Sequence, residues 1–304
     1  MKIKQILGEL IPVFDGESLK KHVAKKVLRS DQFSNGVVNI HRHDLKNVGD
    51  FYCAPYLYFE ELQGQFLDIY GIRNKSPKIR SHWIKTVVNN DLVIGGGGLL
   101  NLPHFGIQMK LFEALAKKGK KIVIWGPGHN AVDYHNFNAN KRYNVDLNAF
   151  GLVGVRDFNL GFEWVPCVSC MNEIFDRPYN EEQEFGILMG KKSAKRPDLA
   201  KKLAKYPLSS NTTNLEEMIS FIGKSHILVT DSYHAMYWGI LMEKKVIAIP
   251  TTSKFFDFKY KVVISSYDSF EDDLKKPGFY TGVLEECRDI NRKFADRVFD
   301  YLNL

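Results

Sequence analysis

Apolar residues along this chain fall in short β-branched runs, each closed by a turn and followed by a stretch with apolar positions at helical spacing. Runs at residues 37–41, 65–70, 91–94, 121–125, 152–156 and 163–166 form a first series. Runs at 185–189, 227–230, 246–250 and 262–265 form a second. Several are unbroken rather than alternating, the pattern of strands covered on both faces. Between them, Leu111, Ala114 and Leu115 make one helical stripe. Leu215, Met218, Ile219 and Ile222 make another, behind a cap at Thr213 or Asn214. Strands alternating with helices predict an α/β fold with doubly wound parallel sheets. The series breaks in the polar stretch from Arg177 and Pro178 to Glu182, so the chain is expected to form two Rossmann-like domains, 1–178 and 179–304, facing a cleft. Ile290, Phe294, Val298 and Leu302 predict a long C-terminal helix.

In open α/β sheets a ligand sits at the carboxyl ends of the strands, so the loops that close these runs are the places where chemistry is expected. The run at 91–94 ends in Gly95, Gly96, Gly97 and Gly98. Missing Cβ atoms let backbone amides approach an anion, and a helix after such a loop adds positive potential; a tight turn is the plainer reading. The loop lacks the Gly-Lys-Ser/Thr ending of a Walker A motif. Gly126, Pro127 and Gly128 make a stiff turn that brings His129 to the same edge. Asn47, Val48, Gly49 and Asp50 follow the first run and offer a carboxylate to the cleft, or a helix cap. Val155, Arg156 and Asp157 put at a strand end an arginine suited to bidentate binding of phosphate or carboxylate, unless Asp157 holds it in a surface ion pair. In the second series Asp231, Ser232, Tyr233 and His234 open a helix, where a histidine can bind phosphate or move a proton. Thr251, Thr252, Ser253 and Lys254 form a further anion-friendly loop.

Composition narrows the picture. The chain has 304 residues, 44% hydrophobic and 25% charged, the profile of an ordinary soluble enzyme. Its mean hydropathy of -0.25 argues against a spanning helix, and residues 1–10 lack the marks of a secretory signal; a cytoplasmic location is expected. Four cysteines make no disulfide framework. Cys167 and Cys170 lack the second pair a zinc site needs and are expected to pack, so no metal is expected. The net charge of +7 comes without a nucleic-acid-binding signature. Lysines 191–205 read as a solvated surface, and no nucleic-acid partner is expected.

Taken in order, the motifs resemble the polysaccharide pyruvyltransferase family: Asn47 to Asp50, the glycine run, Gly126 to Gly128, Val155 to Asp157, and Asp231 to His234. The likeness spans residues 37 to about 250. It implies a two-domain fold similar to GT-B glycosyltransferases, in the biosynthesis of exopolysaccharide or capsule. The implied reaction moves a pyruvyl group from phosphoenolpyruvate to sugar hydroxyls as a ketal, with no cofactor. Ser232 departs from the family pattern, which commonly has an arginine there, and serine supplies no bidentate positive charge. On this reading His234 is the acid or steadies the leaving phosphate, and Asp50 is the base. Arg156, Lys254 and the Gly95–Gly98 amides hold the donor, with Asn47, His129, Asp231, Ser232 and Tyr233 completing the substrate site. The acceptor is a sugar or a lipid-linked saccharide; a lipid-linked one would set the basic surface against the anionic inner face of a membrane. A nucleotide-sugar-dependent glycosyltransferase is the alternative, and a non-enzymatic saccharide-binding module a third.

Overall fold

The computed structural model describes residues 16–211 and 214–304. Residues 1–10, read above for a leader, and the cap candidate Thr213 lie outside the described residues. In chain order the first half contributes helix α1 (Gly16–Arg29), strand β1 (Val37–His41), the short helix α2 (Val48–Phe51), β2 (Phe66–Asp68), α3 (Pro77–Asn89) and β3 (Asp91–Ile94). It continues with β4 (Gly97–Leu100), α4 (Gly106–Ala116), β5 (Ile122–Trp125), β6 (Pro127–His129), α5 (Tyr134–Asn140), β7 (Leu152–Val155) and β8 (Glu163–Trp164). The second half supplies β9 (Gln183–Met189), α6 (Pro197–Leu203), β10 (Leu208–Ser210), α7 (Leu215–Lys224), β11 (Ser225–Thr230) and α8 (Tyr233–Leu241). It ends with β12 (Lys245–Ala248), β13 (Val263–Ile264), α9 (Phe270–Asp273) and α10 (Val283–Leu302).

The strands form two parallel sheets, ordered β2-β1-β3-β5-β7-β8 and β10-β9-β11-β12-β13. The unbroken apolar runs are explained by burial on both faces. Leu92, Ile94, Ile122 and Ile124 pack on Val23 and Val27 of α1, Trp83 of α3, and Leu111 and Phe112 of α4. Their neighbours Val93, Val123 and Trp125 face the other way, onto Phe294, Val298 and Leu302 of α10. The second sheet is covered likewise, with Ile187, Val229 and Ile247 on one side and Leu188, Leu228 and Val246 on the other. Asn214 is the cap of α7, its Oδ1 accepting from the Glu216 and Glu217 amides at 3.0 and 3.3 Å.

Residue 178 falls between β8 and β9, but α10 does not stay with the second sheet. Its first turns pack Val283 and Cys287 among the second-half core, while Phe294 to Leu302 seal the first sheet. Trp125 Nε1 donates to Asn291 Oδ1 at 2.9 Å. The guanidinium of Arg288 makes a paired bond to the carboxylate of Asp176 at 2.6 and 3.0 Å.

Two short strands depart from the sequence pattern. The glycine run leads not straight into a helix but into β4, which pairs in parallel with β6 as a separate two-stranded sheet. Gly97 (φ +93°) and Gly126 (φ +70°) adopt left-handed backbone at the two kinks that carry the chain out of the main sheet, a conformation glycine reaches without penalty. Among the described residues no helix is long and apolar enough to cross a membrane.

Candidate functional site

Segments that follow the strands of both sheets converge on a cavity of about 300 Å3. The first half lines it with Asn47, Leu102, His104, Asn130 and Val132. The second supplies Gly190, Lys191, Lys192, Asn211, Asp231, Ser232, Thr251, Thr252 and Lys254. Hydrogen bonds cross the seam: Asn211 Nδ2 donates to Asn47 Oδ1 at 2.9 Å, Thr252 Oγ1 to Asn130 Oδ1 at 2.7 Å, and Lys191 Nζ to Asp44 Oδ2 at 3.0 Å. A cavity of about 340 Å3 at the opposite end of α8, between Phe175, Tyr179, Met242 and Leu284, holds none of the predicted residues.

The turn α2 and the start of α8 interlock. A Cβ on Gly49 would stand 2.1 Å from His234 Nδ1 and 2.9 Å from His234 Cβ, so only glycine lets the turn lie on the imidazole. The turn also orients Asp50, whose Oδ2 accepts from Asn47 Nδ2 at 2.6 Å. On its other side the turn meets the glycine run: a Cβ on Gly97 would lie 3.8 Å from Asp50 Oδ1. The glycine bend and the histidine helix are thus brought together with the Asn47–Asp50 segment between them.

Four predicted residues fall within electrostatic reach of one another. Burial raises the Asp50 carboxyl, while Lys254 and Arg156 oppose that rise. Burial, seconded by Arg156, brings Lys254 down to about 8. Burial, with Arg156 and Lys254 adding to it, holds His234 well below the usual imidazole value. Arg156 is 2% exposed, its guanidinium 3.8 Å over the ring of Tyr233. Its Nε and Nη2 are buried without a hydrogen-bond partner. The surface ion pair weighed for Arg156 is not formed, because the Asp157 carboxylate accepts from the His129 amide at 2.8 Å and from Tyr143 Oη at 3.0 Å.

Of these four only Lys254 is among the residues that line the cavity; other predicted residues are placed differently again. The Gly95–Gly98 amides do not line the cavity. Gly95 N–H donates to Ile40 C=O at 2.8 Å and Gly96 N–H to Cys53 C=O at 3.0 Å, and Gly98 lies so close to Asn130 that a Cβ would meet its side chain at 2.5 Å. The run serves close packing, with at least two of its amides already committed. His129 is fully buried in the joint between the halves, 2.7 Å from Ser253 Oγ and 3.1 Å from Asp257 Oδ2, and does not reach the cavity lining. Asp231 borders the cavity, but its carboxylate braces protein groups: Gly190 N–H at 2.5 Å, Tyr267 Oη at 2.8 Å, and Ser193 Oγ. Ser232 caps α8, its Oγ accepting from the Ala235 amide at 3.4 Å. His234 itself is buried rather than aimed into the cleft, because all nine residues of α8 are buried, as befits a helix apolar all round.

Sequence reasoning missed Lys191 and Lys192, counted there with the solvated lysines; they follow β9 and its Gly190, and both line the cavity. It also missed Asn130 and Asn211. The signal was available, since a glycine and two lysines at the carboxyl end of a buried strand meet the criterion applied elsewhere. Cys53, Cys167, Cys170 and Cys287 are buried free thiols, and Cys167 is only 3.3 Å from Ser169 Oγ. Among the described residues no group of three or more His, Cys, Asp or Glu is arranged to hold a metal ion.

No family model and no curated protein matches the chain. Among solved structures it is similar to an uncharacterized protein from Klebsiella pneumoniae subsp. pneumoniae, at 15% identity and a TM-score of 0.41, over 84% of this chain and 100% of that one.

Proposed function

We propose that this protein is a transferase of cell-surface glycan biosynthesis that moves a pyruvyl group from phosphoenolpyruvate to sugar hydroxyls, on two facing α/β domains arranged like those of GT-B enzymes. The observation that carries the reading is Lys254 in the cavity lining, backed by the buried guanidinium of Arg156, which lies outside that lining, is stacked on Tyr233 and has Nε and Nη2 unpartnered. A desolvated cation is stabilised when a small anion receives its hydrogen bonds, and a planar guanidinium suits phosphate or carboxylate. Lys254 and Lys192 present positive charge to the cavity, beside Lys191, which is paired with Asp44, and two such cations suit a donor with both a carboxylate and a phosphate. The cation lost at Ser232 is supplied from these positions, and Ser232 is left to cap the helix. The volume of about 300 Å3 is at the lower end of the roughly 300–1,000 Å3 usual for small-ligand sites, which favours this compact donor over a nucleotide sugar.

In the reaction one acceptor hydroxyl adds to the central carbon of the donor while its methylene carbon takes up a proton. A second hydroxyl then displaces phosphate, and the two hydroxyl protons end on the new methyl group and on the departing phosphate. Asp50, with its carboxyl raised by burial, is the base for the acceptor. His234, held neutral, is a weak acid and serves to position the Asp50 turn. The proton donor is reassigned to Lys254, which borders the cavity and at about 8 is poised near the operating pH. The test is incubation with phosphoenolpyruvate and a set of glycans, following inorganic phosphate and product mass. Phosphate release with a product heavier by pyruvate less water supports the reading. Turnover of a nucleotide sugar in its place, or glycan binding with neither donor turned over, overturns it.

A further inference from the structure

Beside the cationic cavity lies a second, larger depression of about 530 Å3 with a different chemistry. Its polar lining is Asn101, Asp133, Asn136, Asn140, Arg142 and Asn144. One carboxylate and one guanidinium balance, and no lysine lines it. Four primary amides make up the rest. The two cavities share a wall: Val132, 61% exposed, lines both, and Leu102 in the first adjoins Pro103 in the second. We propose that this groove is the acceptor site and that it takes an uncharged saccharide. The inference rests on the transfer reading above, which leaves the acceptor's place unassigned.

The amides are half committed, and the free halves of three of them make a mixed set; Asn101 gives its Nδ2 to Arg142 C=O at 2.8 Å and keeps its Oδ1 buried. Asn136 Oδ1 accepts from Asn140 Nδ2 at 2.8 Å, and Asn144 Oδ1 accepts from the Asn101 amide at 3.0 Å. Asp133 Oδ1 caps α5 through the Asn136 amide at 3.0 Å. Asn136 Nδ2, Asn144 Nδ2 and the Arg142 guanidinium remain as donors, and Asn140 Oδ1 and Asp133 Oδ2 as acceptors, with no partner among the described residues. A polyol presents hydroxyls that both donate and accept, so interleaved amide donors and acceptors match it, whereas a phosphorylated ligand is drawn to the three lysines next door. Val132 and Pro103 offer an apolar surface to the C–H face of a sugar ring. A sugar lying on Val132 has its near hydroxyls at the mouth of the donor cavity, where a group transfer requires them.

Two isosteric substitutions isolate the claim. Asn136→Asp and Asn144→Asp keep the Oδ1 acceptors that hold α5 and Asn101 but remove the free Nδ2 donors. The full chain and the N136D/N144D variant are compared by saturation-transfer NMR with neutral oligomers of N-acetylglucosamine and galactose, with uronate oligomers, and with uridine and adenosine. Phosphoenolpyruvate binding is followed separately by thermal shift. The expected result is saturable binding of a neutral oligosaccharide to the native chain, weakened about tenfold per lost donor, with the phosphoenolpyruvate shift unchanged. Neutral saccharide binding that survives the double substitution overturns the proposal, as does preference for uronates or nucleosides, or no saturation by any neutral oligomer. Saccharide binding lost in the variant with no phosphoenolpyruvate shift in either protein overturns the donor assignment and leaves the groove standing.

Discussion

Replacing Gly49 by alanine tests the interlock on which the site depends. The new methyl group would sit 2.1 Å from His234 Nδ1, 2.5 Å from Cγ and 2.9 Å from Cβ. Rotating the imidazole moves Nδ1 away but leaves Cβ in place, so relief requires α2 or α8 to shift. Both are packed: Val48 and all of α8 are buried. Overpacking of this kind costs about 3 kcal/mol. His234→Ala alone removes a buried ring and costs about 2 kcal/mol, less than a Phe→Ala change because the orphaned Nε2 goes with it. In the double variant the methyl group enters the space the ring has left. Its cost is therefore expected near that of a single substitution, about 2–3 kcal/mol, with a favourable coupling of about 2–3 kcal/mol. Urea denaturation of the four proteins measures the cycle. Additivity within about 0.5 kcal/mol would refute the contact and, with it, the placement of Asp50.

With Lys254 at about 8 as the required ammonium, turnover is expected to fall as pH rises through 8, and Lys254→Met to abolish turnover at every pH; a flat profile from pH 7 to 9.5 contradicts this. His41 is fully buried with both ring nitrogens unpartnered, and burial, with His43 and Arg42 adding to it, holds it at about 3. Because the folded value lies below the unfolded one, the unfolded state binds the extra proton between about pH 6.5 and 3, and stability is lost as pH falls through that window. His41→Phe is expected to lessen the loss by about 1.4 kcal/mol per pH unit there, read from the difference in denaturant midpoints; equal slopes argue against a neutral His41. The four thiols, all buried and with their pKa values raised by burial, are expected to resist iodoacetamide in the native protein and react on unfolding. Rapid native labelling of Cys167 or Cys170 would show that segment to be open.

Much of the architecture was legible because burial on both sheet faces leaves a direct mark, the unbroken apolar runs of β3, β5 and β11. The destination of α10 was not legible. Periodicity marks a helix's apolar stripe but not which surface receives it, and Phe294 and Val298 fit either sheet by composition. Asp50, Arg156, Lys254 and His234 were singled out from their positions after strands, and the fold brings them within electrostatic reach of one another, with only Lys254 in the cavity lining. Their states were not readable, because the depth that neutralises His234 and lowers Lys254 comes from segments distant in sequence. The glycine run was misread for a related reason: a missing Cβ signals close approach, and here the approaching group is Cys53 C=O and Asn130 rather than a ligand. Asn136 and Asn144 gave no signal, since single asparagines near a helix look like ordinary surface until the fold gathers them.

The path of α10 bears on how the chain acquires its shape during synthesis. Until the ribosome has passed Phe294 and Leu302, one side of β3 and β5 is covered only in part, by Phe59, Leu62 and Val165, and Val93, Val123 and Trp125 stay partly wet or find a temporary partner. The first half therefore cannot mature as it emerges. A nascent chain halted before this helix would present a greasy, strand-flanked surface of the kind that recruits chaperones or sticks to its neighbours.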